Sequence, residues 1–127
     1  MTEERPLTFS GRIRSIKFAL RGIGFMLASQ QNAWIHAAAT VVVVAVGLLV
    51  GLPCSEWCWI VLAIVSVWTA EALNTALEFL TDLASPQFHP LAGKAKDVAA
   101  GAVLISAIGS VIIGALVFWP KVVVLLA

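Results

Sequence analysis

Charged residues are scarce in this chain. Only 12% of its 127 residues are Asp, Glu, Lys or Arg, whereas 61% are hydrophobic. Soluble domains are typically about 45–50% apolar and about 25% charged. The composition therefore argues against a soluble enzyme and against a disordered tail. The formal net charge is +1, which provides no basic field of the kind that nucleic acid attracts, so we expect no nucleic-acid partner.

Cysteine is nearly absent, and so are the common catalytic motifs. Two cysteines, Cys54 and Cys58, are too few for a disulfide framework, and we expect them to be buried free thiols. The GK at Gly93 and Lys94 lacks the spaced glycine and the following Ser or Thr of a Walker A loop. HExxH, GxSxG and paired CxxC motifs are missing as well. Any nucleotide chemistry must therefore use another scaffold.

Long apolar runs dominate what is present. A membrane-spanning helix needs about 20 mostly apolar residues, and the runs at 33–52, 57–83 and 98–119 meet this length. The loops between them are short and contain proline and glycine. The sequence predicts an all-α membrane protein that forms a single integral-membrane domain over residues 1–127. It would consist of an N-terminal amphipathic surface helix followed by three transmembrane helices.

The segment at 10–27 has a different pattern from the three spans. Ile13, Ile16 and Leu20 start a series of apolar residues at three- and four-residue steps, while Arg14 and Lys17 fall on another face. This spacing predicts an amphipathic helix that lies on the membrane surface. Its basic side chains would anchor it to anionic lipid. A second possibility is that the helix also forms a wall of an active site.

Basic residues predict the orientation in the membrane. Arg12 and Arg14 are among the basic residues that precede the first span, and Lys94 and Lys96 precede the third. The loop between the first two spans has no Lys or Arg. Lys121, which follows the third span, is a single basic residue that does not fit this pattern. We therefore expect the N-terminus and the second loop to face the cytoplasm and the C-terminus to lie outside.

Acidic residues follow one face of the second span. Glu71, Asn74, Glu78 and Asp82 step by three, four and four positions, so they share one face of a helix. A carboxylate in hydrocarbon costs about 2.5–3.5 kcal/mol even on lenient insertion scales, and such residues usually serve a function. The helical rise of 1.5 Å per residue separates Glu71 from Glu78 by about 10 Å along the axis.

Two interpretations of this acidic stripe remain open. Its cytoplasmic end meets a loop that carries His89, Lys94, Lys96 and Asp97. Carboxylates that hold Mg²⁺ beside lysines that hold phosphate oxygens would form a metal–polyphosphate site. Alternatively, the stripe is a polar seam between helices that pack closely through small residues. Three spans enclose little volume, so both interpretations predict a homo-oligomer.

At these residues the sequence resembles the prokaryotic membrane diacylglycerol kinase family, which includes the undecaprenol kinases. The matching segments are EALNTALEFLTD at 71–82 and HPLAGKAKDVAAGAVL at 89–104. The N-x-x-I-H of residues 32–36 is more similar to the undecaprenol kinase branch. The resemblance implies a homotrimer with composite sites at subunit interfaces, in a bacterial cytoplasmic (inner) membrane, with the active site on the cytoplasmic side. It also implies transfer of the γ-phosphate of MgATP to a lipid hydroxyl, either of diacylglycerol or of undecaprenol.

The family's motifs assign roles to four residues near the stripe. By resemblance, Glu71 is the general base that accepts the lipid hydroxyl proton, and Asn74 positions Glu71 or the substrate. Glu78 corresponds to the principal metal-binding carboxylate, which also lies in the ATP site. The family often carries a second metal-binding glutamate where this chain has Gln30. An amide oxygen can also bind Mg²⁺, but it contributes no negative charge.

The resemblance also implies an ATP site at the cytoplasmic surface. Lys96 matches the lysine that contacts the phosphates, and Asp82 matches an acid of the nucleotide site. The other residues that correspond to ATP-binding positions are Phe18 near the adenine, Phe88, His89 and Asp97. An arginine expected near the nucleotide has Gly11 in its register, with Arg12 and Arg14 as the candidate substitutes.

Two other functions remain open. A non-enzymatic membrane oligomer could conduct protons or ions through Glu71 and Glu78, but this would leave the AGKAKD segment at 92–97 without a role. A catalytically inactive homologue could act as a lipid-binding or assembly partner, and Gln30 is compatible with that possibility. Both alternatives predict a membrane protein without ATP-dependent phosphate transfer.

Overall fold

The computed structural model describes residues 8–127, and these form four α-helices. The helices are α1 at Phe9–Ser29, α2 at Gln31–Val50, α3 at Cys54–Ala84 and α4 at Pro90–Leu126. Three of them, α2, α3 and α4, are long and apolar enough to cross a membrane. The predicted fold class of an N-terminal helix followed by three candidate transmembrane helices is confirmed. The single-domain assignment of residues 1–127 remains a prediction.

The first two helices are joined by a bend at one residue. Thr8 caps α1, since its hydroxyl oxygen accepts a hydrogen bond from the backbone N–H of Gly11 at 3.3 Å. Gln30 has an extended conformation, with φ −110° and ψ 116°, and its backbone N–H donates to the carbonyl of Met26. Met26 is the buried residue of α1, so this end of the helix packs against the rest of the protein.

The turn between α2 and α3 depends on glycine. Gly51 has a φ of +65°, which is a left-handed conformation that glycine adopts without a steric penalty. Helix α3 then begins at Cys54 and not at the predicted 57. Its first turn is closed by backbone N–H groups of Glu56 and Trp57, which both donate to the carbonyl of Pro53. Part of the predicted loop is therefore helical.

The expected burial of the two cysteines is wrong. Cys54 and Cys58 are free thiols, as predicted, but both are exposed on the surface of α3. They lie one turn apart on a face that neither α2 nor α4 covers. With only four helices in residues 8–127, much of each helix surface is not covered by protein.

The α3–α4 pair forms the main packed unit. Ser110 donates to the backbone carbonyl of Ala63 at 3.0 Å, and Ser106 donates to the hydroxyl of Ser66 at 3.2 Å. The apolar core lies toward the α2–α3 turn and is centred on Leu52, Ile60 and Val117, with Val43, Val50, Trp57, Ile64, Ile113 and Phe118 packed around them. This packing fixes the face that α3 presents to α4.

Helix α4 is longer than the third apolar run. It begins at Pro90, about two turns before the predicted start of the span, and it continues through Pro120 to Leu126. The helix is therefore not interrupted at Pro120 and Lys121, just beyond the predicted end of the span at residue 119. Lys121 instead forms an ion pair with Glu56, with its Nζ 2.8 Å from Oε2. This ion pair attaches the end of α4 to the start of α3.

Close packing at Gly47 gives a testable prediction. A β-carbon at this position would lie 2.8 Å from Cη2 of Trp57 and 3.0 Å from Cδ1 of Leu52. We expect Gly47→Ala to lower the free energy of unfolding by about 1–3 kcal/mol, since extra volume in a packed core strains its neighbours. The measurement is unfolding in detergent by circular dichroism.

Gly109→Ala is the matched control, because no atom lies within 4 Å of the β-carbon it would add. Alanine favours a helix over glycine by about 0.5–1 kcal/mol, so this variant should be as stable as the wild type or slightly more stable. Equal destabilisation of the two variants would contradict the packing at Gly47.

Candidate active site

Three residues of the predicted stripe line one pocket beside α3. The side chain of Glu71 is 0% exposed and that of Asn74 is 5% exposed, whereas Glu78 is partly exposed. The three-residue and four-residue steps between them place all three on one face of the helix. The pocket has a volume of about 250 Å³. Its lining includes Asn32, Ile35 and His36 from α2 and Ala100, Val103, Leu104 and Ala107 from α4.

Glu78 is held by two amide groups from different parts of the chain. Its Oε1 accepts a hydrogen bond from Nδ2 of Asn74 at 3.1 Å, one turn earlier on α3. Its Oε2 accepts a hydrogen bond from Nε2 of Gln30. Because Gln30 is the bend residue, this bond attaches the α1–α2 corner to α3. The structure therefore places the Gln30 side chain against Glu78, and its predicted role at the metal stays a prediction.

The buried Glu71 carboxylate has a different environment. Neither of its oxygens has a hydrogen-bond partner among residues 8–127. Nε2 of His36 lies 3.6 Å from its Oε2. Nε2 is also buried and has no hydrogen-bond partner within the described chain. A buried carboxylate without partners is costly, so this pair marks a place where a ligand or a small movement would complete the interactions.

His36 is not among the predicted site residues, although it ends the N-x-x-I-H segment at 32–36. A signal was nevertheless available, since an ionisable side chain inside an apolar span indicates a functional position. What the sequence did not reveal is the partner, because Glu71 lies on another helix.

An apolar groove adjoins the polar pocket. It has a volume of about 350 Å³ and lies between α2, α3 and α4. Ile35, His36 and Ala107 line both cavities. Most of the groove wall is aliphatic, with Val43, Ile60, Ile64, Val67 and Val111 among its residues. A polar pocket and an apolar groove therefore meet at His36.

A second group of predicted site residues lies at the end of α3 and the start of α4. Asp82 lies one turn beyond Glu78, and Lys96 forms an ion pair with it. His89 caps α4, since its Nδ1 accepts a hydrogen bond from the backbone N–H of Leu91 at 3.2 Å. Phe88, at 93% exposure, and Asp97 are exposed beside this pair. The structure thus brings Asp82 and Lys96 together.

The predicted residues of α1 remain separate from both groups. Phe18 is exposed, and the guanidinium of Arg21 lies 5.8 Å from the centre of its ring. Arg12 and Arg14 are exposed, and within residues 8–127 neither forms an ion pair. In this structure the helix therefore contributes to the pocket through the bend at Gln30 and not through these three side chains.

The donor atoms of the pocket suit a cation that is shared with phosphates. Among residues 8–127, no three His, Cys, Asp or Glu side chains come close enough to hold a metal by themselves. However, Oδ1 of Asn74 is buried without a hydrogen-bond partner, next to the carboxylate of Glu78. Mg²⁺ is typically bound by one or two carboxylates together with substrate phosphates and water. Glu78 and Asn74 fit that pattern.

Comparison with known proteins identifies the family. The family model described as prokaryotic diacylglycerol kinase matches residues 17–118. The chain belongs to the prokaryotic diacylglycerol kinase family. It is thus a lipid kinase of that family, as the motifs at 71–82 and 89–104 predicted. The match includes the pocket, the apolar groove and the Asp82–Lys96 pair.

Named relatives support the same assignment. The chain is 45% identical over 108 residues to a Bacillus subtilis (strain 168) protein named undecaprenol kinase, covering 85% of this chain and 88% of that protein. It is 39% identical over 107 residues to a Synechocystis protein named diacylglycerol kinase, covering 84% of this chain and 61% of that protein. It is 30% identical over 110 residues to the Escherichia coli (strain K12) diacylglycerol kinase, covering 79% of this chain and 88% of that protein.

The Gln30–Glu78 hydrogen bond of this lipid kinase can be tested directly. We expect Gln30→Glu to destabilise the protein without Mg²⁺ by about 1.5–3 kcal/mol, since a hydrogen bond to a charged group is replaced by repulsion between two carboxylates. Added Mg²⁺ should then raise the melting temperature more in this variant than in the wild type. The measurement is thermal unfolding in detergent across a Mg²⁺ titration.

Gln31→Glu is the matched control, because Gln31 is the adjacent residue and its side chain is exposed. It should respond to Mg²⁺ as the wild type does. An identical response of both variants would place Gln30 outside the reach of the cation.

Proposed function

We propose that this protein transfers the γ-phosphate of MgATP to the hydroxyl group of a membrane lipid. The observation that carries the proposal is the contact between the two cavities: the buried carboxylate of Glu71 lines the polar pocket, and it lies 3.6 Å from Nε2 of His36, which lines both the pocket and the apolar groove. The groove offers an apolar chain a surface of aliphatic side chains. A hydroxyl at the end of such a chain would then reach Glu71.

Undecaprenol is the acceptor that we favour. The relative that is 45% identical over most of both chains is named undecaprenol kinase, whereas the diacylglycerol kinases cited above are 39% and 30% identical. Both lipids present a primary hydroxyl near the membrane surface. Diacylglycerol is the second candidate, and a direct assay separates the two.

The reaction requires alignment and charge neutralisation more than covalent work by the protein. The hydroxyl oxygen of the lipid forms a bond to the γ-phosphorus while the bond from that phosphorus to the bridging oxygen of ADP breaks. The hydroxyl proton passes to Glu71, whose oxygens have no hydrogen-bond partner within residues 8–127. The products are ADP and the lipid phosphate.

The remaining residues would bind the nucleotide. Glu78 and Asn74 would hold Mg²⁺, which supplies positive charge to the phosphates. Lys96 would exchange its contact with Asp82 for a phosphate oxygen. ATP would approach the pocket from the end of α3 that carries this pair, and we infer that this end faces the cytoplasm because the basic residues cluster there.

We also propose that the active form is a homotrimer with composite sites. Helix α1 keeps large apolar side chains exposed, among them Ile13, Ile16, Leu20 and Ile23. The two cavities are open along the side of a single chain, so one chain encloses neither substrate completely. A neighbouring subunit would supply the missing wall, together with residues that this chain keeps apart from its own pocket, such as Phe18, Arg12 and Arg14.

The direct test is phosphate transfer from labelled ATP to lipids in mixed micelles. The panel contains undecaprenol, diacylglycerol and ceramide, each with and without Mg²⁺. We expect Mg²⁺-dependent product on undecaprenol. Product on diacylglycerol alone would change the acceptor, and no product on any lipid from a folded oligomer would favour an inactive homologue. Cation flux without ATP dependence would favour a conducting oligomer.

The assigned base provides a second test. We expect Glu71→Gln to lower the transfer rate by about 10²–10⁴-fold, the usual contribution of a general base, while MgATP binding stays close to that of the wild type. The measurements are initial rates on the best acceptor and MgATP binding by calorimetry.

Glu56→Gln is the matched control, because it makes the same substitution near the opposite end of the same helix, where Glu56 pairs with Lys121. Its transfer rate should stay close to that of the wild type. Loss of MgATP binding in Glu71→Gln would remove Glu71 from the role of base and place it in the nucleotide site.

A further inference from the structure

The groups that face the Glu71 carboxylate come from two helices besides its own. Helix α4 presents only aliphatic side chains to the pocket, namely Ala100, Val103, Leu104 and Ala107. On α3, the amide of Asn74 donates to Glu78, and the hydroxyl of Thr75 donates to the backbone carbonyl of Glu71 and not to its carboxylate. On α2, Asn32 and His36 line the pocket, and Nε2 of His36 lies 3.6 Å from Oε2 of Glu71.

The position of His36 relative to α3 is fixed by a short chain of hydrogen bonds. Thr40, one turn later on α2, donates from its hydroxyl to the backbone carbonyl of His36 at 2.7 Å. The indole N–H of Trp68 on α3 donates to the same Thr40 hydroxyl oxygen at 3.1 Å. These bonds attach α2 to α3 next to the histidine, so the imidazole approaches Glu71 from a defined direction.

The distance between the two side chains is slightly longer than a hydrogen bond. Nε2 of His36 lies 3.6 Å from Oε2 of Glu71, whereas a typical N–H···O bond spans about 2.7–3.2 Å. Catalytic hydrogen bonds are often long without substrate and shorten when it binds. A movement of a few tenths of an ångström would form the bond and give a partner to two buried atoms that have none within the described chain.

His36 also lies at the boundary between the two cavities, where it lines the apolar groove as well as the polar pocket. A lipid whose chain occupies the groove would present its hydroxyl next to this residue. If Oε2 of Glu71 is occupied by Nε2–H of His36, then Oε1 remains for the hydroxyl proton. The histidine would thus decide which carboxylate oxygen acts on the substrate.

We propose that His36 is a positioning residue for Glu71: its Nε2–H donates to Oε2 and leaves Oε1 directed at the acceptor hydroxyl. This inference rests on the proposed kinase function. It predicts that loss of the imidazole donor slows the reaction after the substrates have bound, because MgATP is held by other residues.

The test compares two substitutions of His36. His36→Leu removes the donor, and we expect kcat to fall by about 100-fold, as misplacement of a catalytic group by about 1 Å can cost this much, with an unchanged KM for MgATP. His36→Gln places an amide N–H near the position of Nε2 and should recover most of the lost rate. The assay is phosphate transfer on the best acceptor of the lipid panel.

Ser106→Ala is the control variant. It removes a side-chain hydrogen bond between α3 and α4, outside the residues that line the two cavities, and should keep wild-type kinetics. Equal kcat in His36→Leu and the wild type would overturn the inference. So would equal losses in the Leu and Gln variants, since that result would indicate packing and not hydrogen bonding.

A spectroscopic measurement tests the contact without turnover. The chain has two histidines, so His89→Gln leaves the ¹⁵N signals of His36 alone in the spectrum. We expect Nε2 to carry the proton and its signal to shift when Glu71→Gln is added. An unchanged signal would contradict the contact. A wild-type protein that transfers phosphate to no lipid would instead refute the proposed function, and the catalytic role of His36 with it.

Discussion

The burial of a carboxylate in an apolar helix constrains how the other helices are placed. Glu71 is fully buried on α3, and a charged group without water needs polar or charged neighbours. The bend at Gln30 and the start of α2 bring polar groups to this face of α3, whereas the main packing partner, α4, brings small and aliphatic side chains. The polar groups are thus concentrated on one side of the helix. On that side, atoms of His36, Glu71 and Asn74 have no hydrogen-bond partner within the described chain. A substrate or cation can bind at these atoms.

The arrangement suits a reaction between a water-soluble nucleotide and a lipid. The Asp82–Lys96 ion pair lies at the polar end of α3, and the apolar groove extends from His36 in the other direction along α2, α3 and α4. In the proposed reaction, the nucleotide would reach Glu71 from the end of α3 that carries Asp82, and the lipid would reach it along the groove.

Much of the fold was predictable from local sequence. The hydrophobic runs predicted the three long helices, and the three- and four-residue steps predicted that Glu71, Asn74 and Glu78 share a face. The helix ends were less predictable: α4 continues through Pro120, and Lys121 pairs with Glu56 on another helix. The exposure of Cys54 and Cys58 was also unexpected, since burial depends on which face a neighbouring helix covers.

The sequence by itself determined the helices, their apolar character, the acidic stripe and, through its motifs, the family. These properties depend on the spacing of residues within one helix, where periodicity fixes which side chains are neighbours. Only the tertiary structure decided which groups meet Glu71 and Glu78. The Gln30–Glu78 bond joins residues 48 positions apart, and the approach of His36 to Glu71 requires α2 to pack on α3 in one register. Such contacts depend on the bend at Gln30 and on interhelical packing, which spacing along the chain does not specify.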